Sequence, residues 1–179
     1  MKNVFYKRLL VEKLDLCINE RIIYSFLIYN AICNCEDVWD KETGAFDDTY
    51  LTENEYLELP RYSCSQLANN INIGKATVSR AFHKLELIGI IDKKNGFIYH
   101  NGIYKEGYFN LKGKDLNGQL LVFYSWLNDL KGGKSYIFAS RQKISELYHM
   151  ELSDIRWYLH RLKELGFVER KDDGKLLIK

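Results

Sequence analysis

The chain has 179 residues, room for one large domain or two small ones. Hydrophobic residues make up 46%, including thirteen Tyr and nine Phe, with a single proline, so a packed core is available and wholesale disorder is excluded. A formal net charge of +2 excludes any case for nucleic-acid binding built on bulk charge alone.

The amino terminus, Met1-Lys2-Asn3-Val4-Phe5-Tyr6-Lys7-Arg8, has no apolar run ahead of a small-residue cleavage site. A helix is predicted over residues 19–33, in the most apolar stretch, 21–35. That stretch contains Arg21, Tyr24, Ser25, Tyr29 and Asn30, too polar and too short to span a bilayer. The expected location is cytoplasmic, with no membrane contact. Cys17, Cys33, Cys35 and Cys64 lack the spacing of zinc ligands and are expected as free thiols, with no metal and no cofactor.

Residues 36–58 hold nine acids (Glu36, Asp37, Asp40, Glu42, Asp47, Asp48, Glu53, Glu55 and Glu58) against Lys41, and read as an acidic loop insertion. Residues 63–96 hold five bases against Glu86 and Asp92. An acidic segment beside a basic one suggests two faces with different partners; a solvated loop is the plainer alternative.

Ser63 and Gln66 form a capping box opening a helix over 64–70. Asn72-Ile73-Gly74 makes a turn. A second helix is predicted over 77–88, with an apolar stripe at positions 78, 81, 82, 85 and 88. Gly89 is its left-handed stop. Strands at 90–92 and 97–100 flank Lys93-Lys94-Asn95-Gly96, where Asn-Gly is the favoured two-residue hairpin turn.

The linker is Lys112-Gly113-Lys114. Beyond it the chain predicts a helix over 116–130, a strand over 136–139, a Ser140-capped helix through Tyr148 and a Ser153-capped helix over 154–165. Gly166 follows, then strands at 167–170 and 175–178. Residues 63–92 and 140–169 share an apolar pattern at a constant offset of 77, which identifies one supersecondary unit used twice. The predicted domains are 1–111 and 112–179.

Helix, tight turn, helix, hairpin is the order of a winged helix-turn-helix. The phrase Ala76-Thr77-Val78-Ser79-Arg80-Ala81-Phe82-His83-Lys84-Leu85-Glu86, followed by Gly89-Ile90-Ile91, resembles the recognition helix and wing of bacterial winged-helix regulators. Residues 159–170 repeat it. The region from Asn19 to Tyr99, with its acidic loop and the Gly turn of 40–46, is more loosely similar to the N-terminal domain of plasmid replication initiators. The resemblance implies a mainly α fold with small β-hairpin wings, in two tandem winged helix-turn-helix domains.

A recognition helix enters the major groove with its outer face. The core stripe leaves Lys75, Ala76, Thr77, Ser79, Arg80, His83 and Lys84 on that face. Arg80 is the expected base reader, because a guanidinium binds guanine O6 and N7 together. Lys75, Lys84, Lys93 and Lys94, with Asn95 on the wing, would meet phosphate and position the protein. In the second copy Glu151 and Asp154 oppose phosphate, and Trp157 takes the place of Arg80. Arg156 and Arg161, helped by His160 and Lys163, could still reach the backbone. Trp157 is an interface candidate for the other domain, a homodimer partner or DNA.

No catalytic motif stands out, and the chain is read as a non-enzyme. The expected partner is double-stranded DNA, bound specifically by a transcription regulator, with a mobile element as one setting. A plasmid or phage replication initiator binding origin repeats is one alternative. Another is a tandem winged-helix module that binds a protein through the acidic loop or the second domain.

Overall fold

The computed structural model describes residues 5–6, 15–43, 45–47, 49–100, 108–113 and 115–179. Of the features read above, residues 1–4 and 7–8 of the amino terminus, Gly44, Asp48 and Lys114 lie outside the described residues. About half of the described residues are helical, and the strands form small antiparallel sheets. The chain divides into two compact units, Met1–Asn110 and Leu111–Lys179.

In the first unit, α1 (Ile18–Asn34) is the central post. Ile22, Ile23, Tyr24, Phe26, Leu27, Ile28, Ala31 and Ile32 are all buried, so it is apolar on nearly every side. It packs against α3 (Cys64–Ile71), α4 (Lys75–Leu87) and two strands, β1 (Phe5–Tyr6) and β2 (Tyr56–Glu58). Leu67 of α3 and Val78 and Leu85 of α4 are fully buried, each contributing about 1.5–3 kcal/mol of burial free energy.

The three-stranded sheet runs β2-β4-β3, with β3 at Ile91–Asp92 and β4 at Phe97–Tyr99. Leu57, Ile98 and Ile91 align across it and face the core. A separate pair joins β1 to β5 (Phe109–Asn110).

The segment 36–58 is not the plain loop expected. It carries a Trp39–Phe46 bridge, the short α2 (Thr49–Glu53) and β2 itself. A three-residue strand with Leu57 as its one buried residue leaves no periodicity to read. The 93–96 loop lies between the strands as expected, but its conformation differs from a two-residue Asn-Gly turn: only Gly96 has positive φ, at 75°. Asn95 is not among the positive-φ residues, and its backbone N–H and its side-chain amide both donate to the Asp92 carboxylate. A two-residue type I′ turn would need positive φ at both central residues.

In the second unit, α5 (Gly118–Leu130) takes the central place. It is followed by β6 (Tyr136–Ile137), α6 (Arg141–Tyr148), α7 (Leu152–Glu164), β7 (Val168–Arg170) and β8 (Leu176–Ile178), with sheet order β6-β8-β7. β6 is shorter than predicted, and Phe138 just beyond it is 74% exposed.

The repeat extends to the backbone. Asn72 and His149, 77 residues apart, both cap a helix in the left-handed conformation, at φ 55° and 50°. Gly89 and Gly166 follow the later helices at φ 77° and 79°. Ser63 and Ser140 each accept an N-cap hydrogen bond as expected. Both second helices nevertheless start two residues earlier than predicted. Their N-caps are Gly74 and Glu151, neither with a side-chain cap bond, so Ser153 is not the cap. The left-handed turn fixes the start three residues later in both units, whatever residue occupies the cap.

Candidate nucleic-acid interface

The core stripe of α4 (Val78, Ala81, Phe82 and Leu85) holds the helix against α1 and α3 and leaves its other face to solvent. Lys75, Ala76, Ser79, Arg80 and His83 are exposed there; Thr77 and Lys84 are half-buried. Arg80 makes no ion pair among the described residues. Lys84 is engaged, its ammonium 3.3 Å from the Glu20 carboxylate at the start of α1.

A groove of about 870 Å³ separates α4 from the 93–96 loop. Ser79 and Phe82 line one side; Lys93, Lys94 and Gly96 line another; Arg61 and Tyr62 stand where the chain passes from β2 to α3. Lys93 is tied to Glu86 at 2.7 Å, and its ammonium lies 5.6 Å from the centre of the Phe82 ring. Asn95 spends its side-chain amide on Asp92, whose carboxyl is held below the usual range by the Asn95 N–H and that amide. Lys94 and Arg61 have no ion pair among the described residues. Sequence reasoning missed Arg61. Its signal was an isolated base beside Pro60, just ahead of the Ser63 cap.

No protein-family model, curated protein or solved structure matches the chain.

The second unit places its candidates differently. Arg156 is exposed on α7 without an ion pair among the described residues. Arg161 pairs with Glu164 at 3.0 Å, and His160 stands 3.3 Å from the same carboxylate. Trp157 is 59% exposed and touches the Tyr158 ring edge-on at 5.1 Å. Arg156 shares a groove of about 290 Å³ with Arg141, His160, Lys163 and Arg170. Arg141 and Arg170 went unnoticed in the sequence, although the 77-residue offset carries Cys64 and Lys93 of the first groove onto them.

The four cysteines are free thiols, and no group of three His, Cys, Asp or Glu among the described residues is placed to hold a metal. None of the described helices is long and apolar enough to cross a membrane.

Proposed function

We propose that each unit is a winged helix-turn-helix and that the chain binds double-stranded DNA in a sequence-specific way, with α4 as the reading helix. The observation that carries this is Arg80. It stands exposed on the solvent face of a well-anchored helix, with no ion pair among the described residues, beside a groove whose lining includes Arg61, Lys93 and Lys94 against the carboxylate of Glu58. A free guanidinium on a rigid helix is available for bidentate contact with guanine, and the groove cations for phosphate. Lys75 at the first turn of α4 adds charge where the backbone would approach.

Transcription regulation is the role we assign, with replication initiation at origin repeats as the alternative. Both use the same contacts and differ in the arrangement of sites. Selection of duplexes from a random pool at two salt concentrations tests the reading. Enrichment of one palindrome fits an operator, and enrichment of direct repeats fits an origin. No enriched motif at either salt contradicts specific binding.

The exposed Trp157 favours a second reading, a protein-binding module. An indole left in water is costly and marks contact surfaces. Under that reading Trp157→Ala abolishes partner capture and Arg80→Ala does not.

A further inference from the structure

The grooves of the two units occupy equivalent positions and differ in charge, the first being lined by Glu58 and the second by no acid among the described residues. At offset 77, Ser79 corresponds to Arg156, Phe82 to Leu159, and Lys93 to Arg170, and each of these residues lines its groove. Glu86, which neutralises Lys93 in the first unit, corresponds to Lys163. The position that supplies the counter-charge in one unit supplies a further cation in the other.

The second groove therefore gathers four cations, Arg141, Arg156, Lys163 and Arg170, and no carboxylate among the described residues lines it. None of the four makes an ion pair among the described residues. Two of the acids nearest in sequence are used elsewhere: Glu164 holds Arg161 and His160, and Glu169 holds Lys171 and Lys179, while Asp154, two residues from Arg156, is not among the residues that line the groove. Arg170 is anchored by donating to the carbonyls of Gly174 at 3.0 Å and Ala139 at 3.3 Å. Its guanidinium is held below its ordinary pKa by burial and by the charge of Arg141. Like charges gathered in a recess repel one another. An anion entering it removes that repulsion and makes charge-assisted hydrogen bonds.

We propose that the groove between α7 and the β7–β8 hairpin is a phosphate-binding site, held by Arg141, Arg156, Lys163 and Arg170. A volume of about 290 Å³ suits one phosphate and the group that carries it. With DNA as the source of the phosphate, the inference rests on the DNA-binding reading and divides the labour. The first unit reads bases through Arg80. The second grips the backbone without reading it, despite Glu151 and Asp154 at the start of α7. With a free phosphorylated small molecule as the source, the chemistry of the site is the same and the occupant differs.

The test uses the full chain and the double variant Arg156→Ala/Lys163→Ala, both exposed positions that leave the anchored Arg170 in place. Arg156→Lys/Lys163→Arg serves as the charge-conserving control. Each protein is titrated with a labelled random-sequence duplex over a range of salt, and its thermal midpoint is measured with and without pyrophosphate. If backbone phosphate fills the groove, the salt slope of the double variant falls by about two, at roughly 0.9 per phosphate contact, and the control retains it. If a free phosphate compound fills it, duplex binding is unchanged by the double substitution, while pyrophosphate raises the midpoint of the native chain and of the control but not of the double variant. Unchanged slope together with an unchanged pyrophosphate response overturns the site. Failure of the DNA-binding reading is separate: the native chain then binds no duplex at any salt, and the pyrophosphate response alone decides the groove.

Discussion

The Tyr24 hydroxyl donates a hydrogen bond to the Tyr99 carbonyl at 2.7 Å, tying α1 to the end of β4. The second unit repeats the device, with the Tyr124 hydroxyl of α5 donating to the carbonyl of Lys179, just past β8. The strand ends match as well: the Tyr99 N–H donates to Ile90 at 2.8 Å and the Lys179 N–H to Phe167 at 2.9 Å. Each hairpin is thus fastened to its own central helix, which fixes the wall of each groove. Tyr24→Phe should cost about 1 kcal/mol in urea unfolding, because it removes the hydrogen bond to a part-buried acceptor.

Burial, and then the neighbouring Tyr99, raises the Tyr24 hydroxyl well above its ordinary pKa of 10.0, and burial, followed by Cys33, pushes Tyr29 up to about 12. A group whose pKa is raised on folding contributes stability that is fully present below its unfolded pKa and is lost as pH rises toward the folded value. The contribution of these two tyrosines should therefore be constant up to about pH 10 and decline between pH 10 and 12. Alkaline titration followed by circular dichroism checks this, and Tyr29→Phe should make the decline shallower.

Ser25 and Ser125 follow Tyr24 and Tyr124 and are both buried, yet their hydroxyls differ. Ser125 accepts from the Lys112 N–H at 2.7 Å and donates to Leu121 at 2.7 Å. The Ser25 hydroxyl has no hydrogen-bond partner among the described residues. Ser125→Ala should cost about 1 kcal/mol or more, and Ser25→Ala should be neutral or stabilising, since a buried unpaired hydroxyl is a cost that alanine removes. Denaturant midpoints of the two variants should move apart.

These pairs show what was legible. The 77-residue pattern ran through residues that face the core at helical spacing, so the helices, the left-handed glycines and the repeat itself could be read. The central helices carry the repeat too, as Tyr24-Ser25-Phe26-Leu27 and Tyr124-Ser125-Trp126-Leu127, but at an offset of 100. The first unit has 23 more residues between its central helix and the Ser-capped helix, so the gap-free alignment stopped short of these helices even though a helix ahead of each copy was expected. β1, β2 and β5 were not legible, because strands this short are read from their flanks, and they lack the helix-ending glycine and hairpin turn that marked β3–β4 and β7–β8. At the site, the exposed face of α4 followed from its stripe. The engagement of Lys84 by Glu20, of Lys93 by Glu86 and of Asn95 by Asp92 did not, since each depends on where a side chain settles in three dimensions.

The Lys93–Glu86 pair is surface-exposed and should contribute little to stability, about 0–1 kcal/mol. Its effect is to mask a groove cation. Glu86→Gln should leave the unfolding midpoint nearly unchanged, tighten binding to random duplexes and steepen the salt dependence by about one. Fluorescence anisotropy over a salt series measures both.

Gly89 sits at φ 77° with open space around the position of a Cβ, so a substitution there meets conformational strain and no clash. Gly89→Ala should cost about 1 kcal/mol, with Gly89→Asn costing less, because asparagine tolerates the left-handed region. Equal losses for the two in thermal unfolding would point to a cause other than backbone strain.

The central claim is that α4 reads DNA bases through Arg80. The most direct measurement compares Arg80→Ala with the native chain on the selected duplex and on a random duplex at one salt concentration. The account predicts a loss of about 1–3 kcal/mol on the selected duplex, a smaller loss on the random one, and an unchanged unfolding midpoint. Equal losses on both duplexes, or none on either, would contradict it.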